Sequence, residues 1–261
     1  MSNNSILLKI ENNVAYITLN RPDVFNSFNR EMALRLQTIL DDCETNADVR
    51  AIVLTGNGKA FCAGQDLKEV TDPDLNPGFK KILEEHYNPI ITRIRSIKKP
   101  IIGAINGVAA GAGANIALAC DIVVAHEKVS FIQAFSLIGL VPDSGGTYFL
   151  PRLIGFQKAL ALAMLGEKIS AEEAERLGMI YKVIPLENYE EQVNTLATKL
   201  ANMPTKALGK IKELFNHSLS NDLEAQLALE SKLQIEAAQT EDYKEGVTAF
   251  IEKRKPNFKG N

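Results

Sequence analysis

Two glycine-rich segments and one aspartate are the residues best suited to chemistry in this sequence. The segments are Phe61-Cys62-Ala63-Gly64-Gln65-Asp66-Leu67 and Gly107 to Ala114, each following an apolar run that reads as a strand. Small residues let a ligand approach the main chain, and a turn that leads into a helix presents N–H groups with no intrahelical acceptor. Two such turns aimed at one point can stabilise an oxyanion as it develops. Tight packing of strand against helix would account for either turn alone. The third member is Asp143, a carboxylate in the apolar stretch GLVPDSGG that can exchange a proton with a bound substrate. Its structural alternative is to N-cap a helix starting at Ser144.

Other apparent motifs fail. Gly111-Ala112-Gly113 follows a strand pattern, but the third glycine of the dinucleotide fingerprint falls on Ile116, and no acidic residue lies about twenty positions on. Gly56-Asn57-Gly58-Lys59-Ala60 lacks the Ser or Thr that a P-loop offers to magnesium. Asp143-Ser144-Gly145-Gly146 is like a serine-protease nucleophile segment set in the wrong kind of fold and without a histidine partner. Glu84-Glu85-His86 reads as a charged helix face, and three His (His86, His126, His217) with three Cys (Cys43, Cys62, Cys120) are too few for a multi-ligand metal site or a disulfide framework. The expectation is no metal and no bound cofactor.

These residues must be held by a folded scaffold, and the composition allows one. The 261 residues are 46% hydrophobic and 23% charged, so disorder is excluded, and a chain of this length buries roughly three quarters of its unfolded surface. With 29 Lys and Arg against 32 Asp and Glu, the net charge of -3 argues against a nucleic-acid partner. Met1 to Ser5 is polar with no apolar segment behind it, which with the odd cysteine count points to a reducing, cytoplasmic setting. Ile101 to Cys120 carries no charge over 20 residues, yet it is rich in Gly and Ala and holds Asn106 and Asn115. A buried strand, a glycine turn and a packed helix explain it better than a membrane span, so no membrane partner is expected.

Along the chain, Ile6, Leu8 and Ile10 share one face, Asn12-Asn13 supplies a turn and Val14 to Leu19 resumes, which predicts a β-hairpin. Asn29 is a candidate N-cap for an amphipathic helix through Met32, Leu36, Ile39, Leu40 and Cys43. Arg50 to Thr55, Ile101 to Ile105 and Ile122 to Val124 read as buried strands with helices between them, an α/β pattern. Residues 68 to 80 concentrate turn formers and read as a mobile surface loop. Phe156 to Leu165 reads as a helix ending at Gly166, and Ser170 with Glu173 as a capping box for a helix stopping near Gly178. From Tyr189 onward the pattern is helical. The expected organisation is a core over 1–195 and a helical region over 196–261.

The segments NRPDVFNSFN, FCAGQDL, NGVAAGAGANIALACDI, GLVPDSGGTYFLPRLIG, ISAEEAERLGMIYKV and EGVTAFIEKRKPNF, in this order and spacing, resemble the enoyl-CoA hydratase/isomerase (crotonase) superfamily over nearly the whole chain. The resemblance implies an α/β fold built as a spiral of ββα units, with a helical C-terminal region used for trimerisation and a homotrimer or dimer of trimers. It implies an acyl-CoA thioester as substrate, coenzyme A being part of that substrate. The oxyanion donors would be the amides of Gln65 and Ala112, with Ala63, Gly64, Asp66, Leu67, Gly111, Asn115, Phe135 and Leu140 lining the substrate site.

Departures from the family pattern are equally informative. Where its hydratases carry two glutamates around the added water, this chain has Asn115 and Phe135, neither of which can act as a base. Where they more often carry glycine, it has Asp143. One carboxylate beside an oxyanion hole suits relocation of a proton without water, and the apolar Phe131, Phe135 and Leu140 would raise the Asp143 pKa by excluding solvent. Within the superfamily, NSFN, FCAGQDL, the Tyr87-Asn88-Pro89 segment and AFSLIGLVPDSGG resemble the branch of isomerases that rearranges the ring epoxide of phenylacetate degradation, carried as a CoA thioester, and that also moves Δ3 double bonds to Δ2. An aliphatic enoyl-CoA isomerase, a hydratase, an aspartate dehalogenase and a catalytically silent acyl-CoA or RNA scaffold are the alternatives. Arg21, Lys59 and the Lys253-Arg254-Lys255 cluster are the candidate contacts for the CoA phosphates.

Overall fold

The alternating N-terminal segments close into a hairpin, β1 (Ile6–Glu11) against β2 (Val14–Leu19), with Asn12 and Asn13 both left-handed in the turn. The computed structural model describes residues 4–261, so Met1 to Asn3 of the polar N-terminus lie outside the described residues. Of the predicted face of β1 only Ile6 is buried; Leu8 and Ile10 lie on the same face but are exposed, because the core does not reach the far end of this edge strand. Helix α1 (Arg30–Thr45) starts where predicted, the Asn29 side chain accepting from the Met32 amide, and it buries Met32, Leu36, Ile39, Leu40 and Cys43.

From there the chain repeats one step. Strand β3 (Ala51–Gly56) is followed by the short β4 (Ala60–Cys62), then by helix α2 (Leu67–Thr71), α3 (Phe79–Lys81), a π-type turn over Ile82–Tyr87 and α4 (Asn88–Ser96). Strand β5 (Ile101–Ile105) is followed by β6 (Val108–Ala110) and α5 (Ala112–Ala119), and β7 (Ile122–His126) by β8 (Ser130–Ile132), α6 (Gly146–Ile154) and α7 (Phe156–Leu165). The segment over residues 68 to 80 is therefore no continuous loop. Asp66 caps α2 by accepting from the Lys68 amide, and only the stretch between Thr71 and Phe79 is irregular.

After β9 (Lys168–Ser170), α8 (Ala171–Arg176) and β10 (Lys182–Ile184), the first strands of the three pairs, β3, β5 and β7, lie with the hairpin and β10 in one sheet, β1-β2-β3-β5-β7-β10, parallel beyond the hairpin. The second strands, β4, β6 and β8, form another, β4-β6-β8-β9, parallel except for the closing β9. This alternation is the predicted spiral of ββα units. The capping box at α8 is only half formed: Ser170 accepts from the Glu173 amide, while the Glu173 carboxylate pairs with Arg176. The uncharged stretch from Ile101 to Cys120 becomes β5, β6 and α5, buried apart from intermediate positions around the turns, and among the described residues no helix is long and apolar enough to cross a membrane.

The main core lies between the two sheets and the helices α1, α4 and α5. A second, smaller cluster lies on the outer face of the six-stranded sheet, where α9 (Tyr189–Ala201) lays Tyr189, Val193, Ala197 and Leu200 over Val53, Ile102 and Val124. Residues 195 and 196 both fall inside α9, so the change from mixed to helical sequence is not marked by a break in the chain. Beyond it, α10 (Thr205–Ser218) is tied to the sheet by the buried Lys212, whose ammonium lies 2.8 Å from Asp121; Asp121 also accepts from the Ile101 amide at 2.9 Å. Helices α11 (Leu223–Ala237) and α12 (Glu241–Ile251) bury little and leave Leu223, Phe250 and Ile251 largely exposed.

Candidate active site

The first glycine turn is fixed by its pairing with residues 25–28. Ala63 donates to the Phe25 carbonyl, the Gly64 carbonyl accepts from Phe28 at 2.7 Å, and Asp66 donates to the Phe28 carbonyl at 2.8 Å. Successive groups of an extended chain point to opposite sides. With the Gly64 carbonyl and the Asp66 amide both turned toward Phe28, the Gln65 amide must face the other way, and among the described residues it meets no acceptor. The partner segment is itself shaped for this: Phe25 and Asn26 are left-handed, and the fully buried Asn26 side chain accepts from the Arg21 amide and donates to the Asn57 and Ala60 carbonyls.

The second turn follows β6. Gly111 donates to the Ile132 carbonyl, adopts φ +53°, and delivers the chain into α5, whose first amide, that of Ala112, is an orphan of the helix start. The two turns touch. A side chain at Gly64, where φ is +95°, would put its first carbon 3.1 Å from the Ala110 carbonyl oxygen and 3.5 Å from the Ala112 nitrogen; one at Gly113 would lie 2.3 Å from the Cys62 carbonyl oxygen. Glycine at these two positions is what lets the free amides of Gln65 and Ala112 stand on adjoining backbones, the arrangement an oxyanion hole needs.

Asp143 is attached to this pair through α5. Its carbonyl accepts from the Asn115 side chain at 2.9 Å and from the Gly146 amide at 2.8 Å. Ser144 (φ +50°) and Gly145 (φ +74°) are both left-handed between them, which makes residues 143–146 a turn of the I′ kind. For Ser144, a non-glycine residue, that backbone costs on the order of 1 kcal/mol. Helix α6 starts at Gly146 with Gly145 as its cap, so Asp143 does not serve as the N-cap that the sequence alone allowed. The Ser144 hydroxyl donates to one carboxylate oxygen at 2.8 Å. Burial pushes the Asp143 pKa above its ordinary value, and that hydrogen bond pulls it partly back.

Several predicted residues are redirected. Arg21 pairs with Asp66 at 2.8 Å and donates to the Ser27 carbonyl, so its charge is already matched and Asp66 is held by Arg21 and by the cap of α2. Asn115 is fully buried, donating to the Asp143 carbonyl and accepting from Gln133 at 2.8 Å, and so positions the Asp143 segment. Phe135 is buried against Gly111 and Phe131 is wholly enclosed, whereas Leu140 is 38% exposed and closes little off. Ala63 and Leu67 are exposed at the mouth of the first turn. Lys59 and Lys253 are exposed and, among the described residues, form no ion pair. His86 is buried beside Arg30, not displayed on a charged face.

Sequence reasoning missed the groups that hold Gln65. Its side chain accepts from the Tyr87 hydroxyl at 3.0 Å and donates to Glu69 at 2.7 Å, and Glu69 in turn accepts from the Arg30 amide. Tyr87 is fully buried, with its pKa driven up by that burial. The spacing of Gln65 and Glu69, four residues apart at a helix start, was the available signal. Cys62, between the two turns, is pushed up to about 12 by burial and is no nucleophile. Next to the Asp143 segment lies an apolar cavity of about 160 Å³ bounded by Pro142, Gly146, Leu150, Phe156, Ala159 and Leu160. A larger one of about 540 Å³, around Tyr16, Asn106 and His126, lies under α9 and is not lined by Gln65, Ala112 or Asp143.

Comparison with known proteins agrees with this geometry. The family model of the enoyl-CoA hydratase/isomerases matches residues 9–261. A Rhodobacter capsulatus protein named "Probable enoyl-CoA hydratase" is 46% identical, with all of both chains covered. The 1,2-epoxyphenylacetyl-CoA isomerase of Escherichia coli is 45% identical over 98% of each chain. The crystal structure of an enoyl-CoA hydratase from Bacillus anthracis superposes with a TM-score of 0.91 at 35% identity, covering 98% of this chain and 100% of that one. A fold, a pair of facing amide turns and a sequence that agree over their full length leave one assignment: the chain belongs to the enoyl-CoA hydratase/isomerase family.

Proposed function

We propose that the protein is an acyl-CoA isomerase whose physiological substrate is 2-(1,2-epoxy-1,2-dihydrophenyl)acetyl-CoA, converted to the oxepin thioester. The observation that carries this reading is the pairing of two free main-chain amides with one partly buried carboxylate, Asp143, whose pKa is raised. Asp143 removes the proton alpha to the thioester carbonyl, the electron pair moves onto the carbonyl oxygen, and the Gln65 and Ala112 amides hold the resulting enolate. The ring epoxide opens to its seven-membered form as the ring C–C bond bridged by the oxygen breaks and the ring π electrons shift in concert, and the proton returns to a ring carbon, so atoms and charge balance with no co-reactant. Hydration needs one group to activate water and another to deliver a proton; Asn115 and Phe135 can do neither.

The apolar cavity beside Asp143 supports a compact ring as the acyl tail, because a cavity of roughly 150 Å³ is enough to enclose benzene. The Escherichia coli relative supports the same substrate, and the Rhodobacter capsulatus relative favours hydration as the second reading. Lys59 is the remaining N-terminal candidate for a CoA phosphate, since Arg21 is paired. Leu223, Phe250 and Ile251, exposed on the C-terminal helices, support assembly of three copies through that face, which sedimentation should report as a trimer or a multiple of it. In parallel assays of the ring epoxide, a linear 3-enoyl-CoA and a linear 2-enoyl-CoA, the ring epoxide should give the highest kcat/KM and the 2-enoyl-CoA should hydrate slowest. Faster turnover of either linear thioester would overturn the substrate assignment.

A further inference from the structure

We propose that Ser144 is a positioning residue for Asp143: its hydroxyl, held by a left-handed backbone, occupies one carboxylate oxygen and leaves the other to take the proton. The inference rests on the reading of Asp143 as the base. Three observations carry it. The first is the turn itself. In a turn of the I′ kind both central residues have positive φ, positions where Gly, Asn and Asp dominate. Gly145 satisfies that demand, yet position 144 holds a serine at φ +50°. A residue kept where it is conformationally disfavoured needs a return, and the Oγ–Oδ1 contact of 2.8 Å supplies one.

Enclosure is the second observation. Ser144 is 2% exposed, so its hydroxyl has no water to trade with, and among the described residues no other side chain donates to this carboxylate. The third is that the main chain of Asp143 is separately fixed, its carbonyl taking the Asn115 side chain and the Gly146 amide. With the backbone immobilised from one side, the remaining freedom is the carboxylate torsion, and the Ser144 hydroxyl removes it.

The surrounding groups leave this role to Ser144. The Tyr87 phenol feels the Asp143 carboxylate through space, with Cys62, Asp66 and Glu69 around it. Burial keeps the phenol and the Cys62 thiol neutral at working pH, Asp66 is paired with Arg21, and Glu69 is hydrogen-bonded to Gln65 and to the Arg30 amide. None of them carries a positive charge that could hold the carboxylate ionised. Beside the main-chain amide of Asp143 itself, the serine hydroxyl is the donor that opposes desolvation, and its effect is the larger of the two.

Two variants separate hydroxyl from backbone. S144A removes the donor and keeps a Cβ in the left-handed region; S144G removes the donor and relieves the backbone. In pH profiles of isomerase kcat, both should move the acid limb upward by about one pH unit, the scale of one hydrogen bond to a charged group. KM should change little, and S144G should melt higher than S144A. An unmoved limb in both variants, or a limb that S144G leaves at its wild-type position while S144A shifts it, overturns the proposal. D143N run alongside distinguishes the two levels: if it retains turnover the base assignment itself fails, and if it is inactive while the serine variants keep the wild-type limb, only the role of Ser144 fails.

Discussion

A carboxylate drawn partly out of solvent is a liability to folding and an asset to proton transfer, and Asp143 shows both sides. Its folded pKa lies above the ordinary aspartate value because burial disfavours the charged form. The sign of the linkage follows: the protonated group is tolerated, and stability falls as pH rises through the folded pKa. D143N, which removes the charge and keeps the shape, should therefore melt higher than wild type at pH 7, and the difference should shrink as pH falls toward the ordinary aspartate range. Equal melting temperatures at both pH values would show that burial places no strain on this carboxylate. The sequence alone could name Asp143, because the types around it are apolar, but it could not find Ser144 or Tyr87. Ser144 acts through a positive φ and Tyr87 through a contact 22 residues away from Gln65, and neither leaves a pattern in the chain.

At the level of elements, the site is a product of glycines that bring backbones together. Gly64 combines a positive φ with a neighbour at 3.1 Å, so an added methyl would strain the turn and press on the Ala110 carbonyl beside the Ala112 amide. G64A should destabilise the fold by about 1–3 kcal/mol and lower kcat more than it raises KM, because the donor geometry matters most in the transition state. Thermal melts and steady-state kinetics on the same preparation read both effects; a variant with wild-type kcat would mean that the two turns need not meet at this distance. The turns, the α1 cap at Asn29 and the helix ending at Gly166 were legible because each depends on local residue types. The stretch 68–80 departs from a continuous loop for the same reason: Asp66, just ahead of it, caps α2, and the turn formers beyond govern only the irregular part between Thr71 and Phe79.

Across the whole molecule, a spiral of strand pairs puts the second strand of each pair into the smaller sheet, so that β4 and β6 become parallel neighbours although 45 residues separate Cys62 from Gly107. That non-local pairing aligns the two amide turns. No periodicity in the sequence reveals it, and only the family resemblance gave it away. The helical C-terminal region is anchored from far along the chain by Lys212 and Asp121, a buried pair in which burial lowers the lysine pKa and raises the aspartate pKa against their mutual attraction. The alternation of apolar runs predicted strands and helices well, and Arg21 and Asp66 are a fair measure of where it stops, because both read as ligand contacts and are engaged with one another. The account rests on Asp143 removing an α-proton toward an enolate held by Gln65 and Ala112. Its most direct test is the washout of α-deuterium from labelled phenylacetyl-CoA, which needs no product release and no assumption about the ring epoxide. Wild-type protein should exchange the label, and folded D143N should do so about 10³-fold more slowly; exchange by D143N at the wild-type rate would contradict the mechanism at its first step.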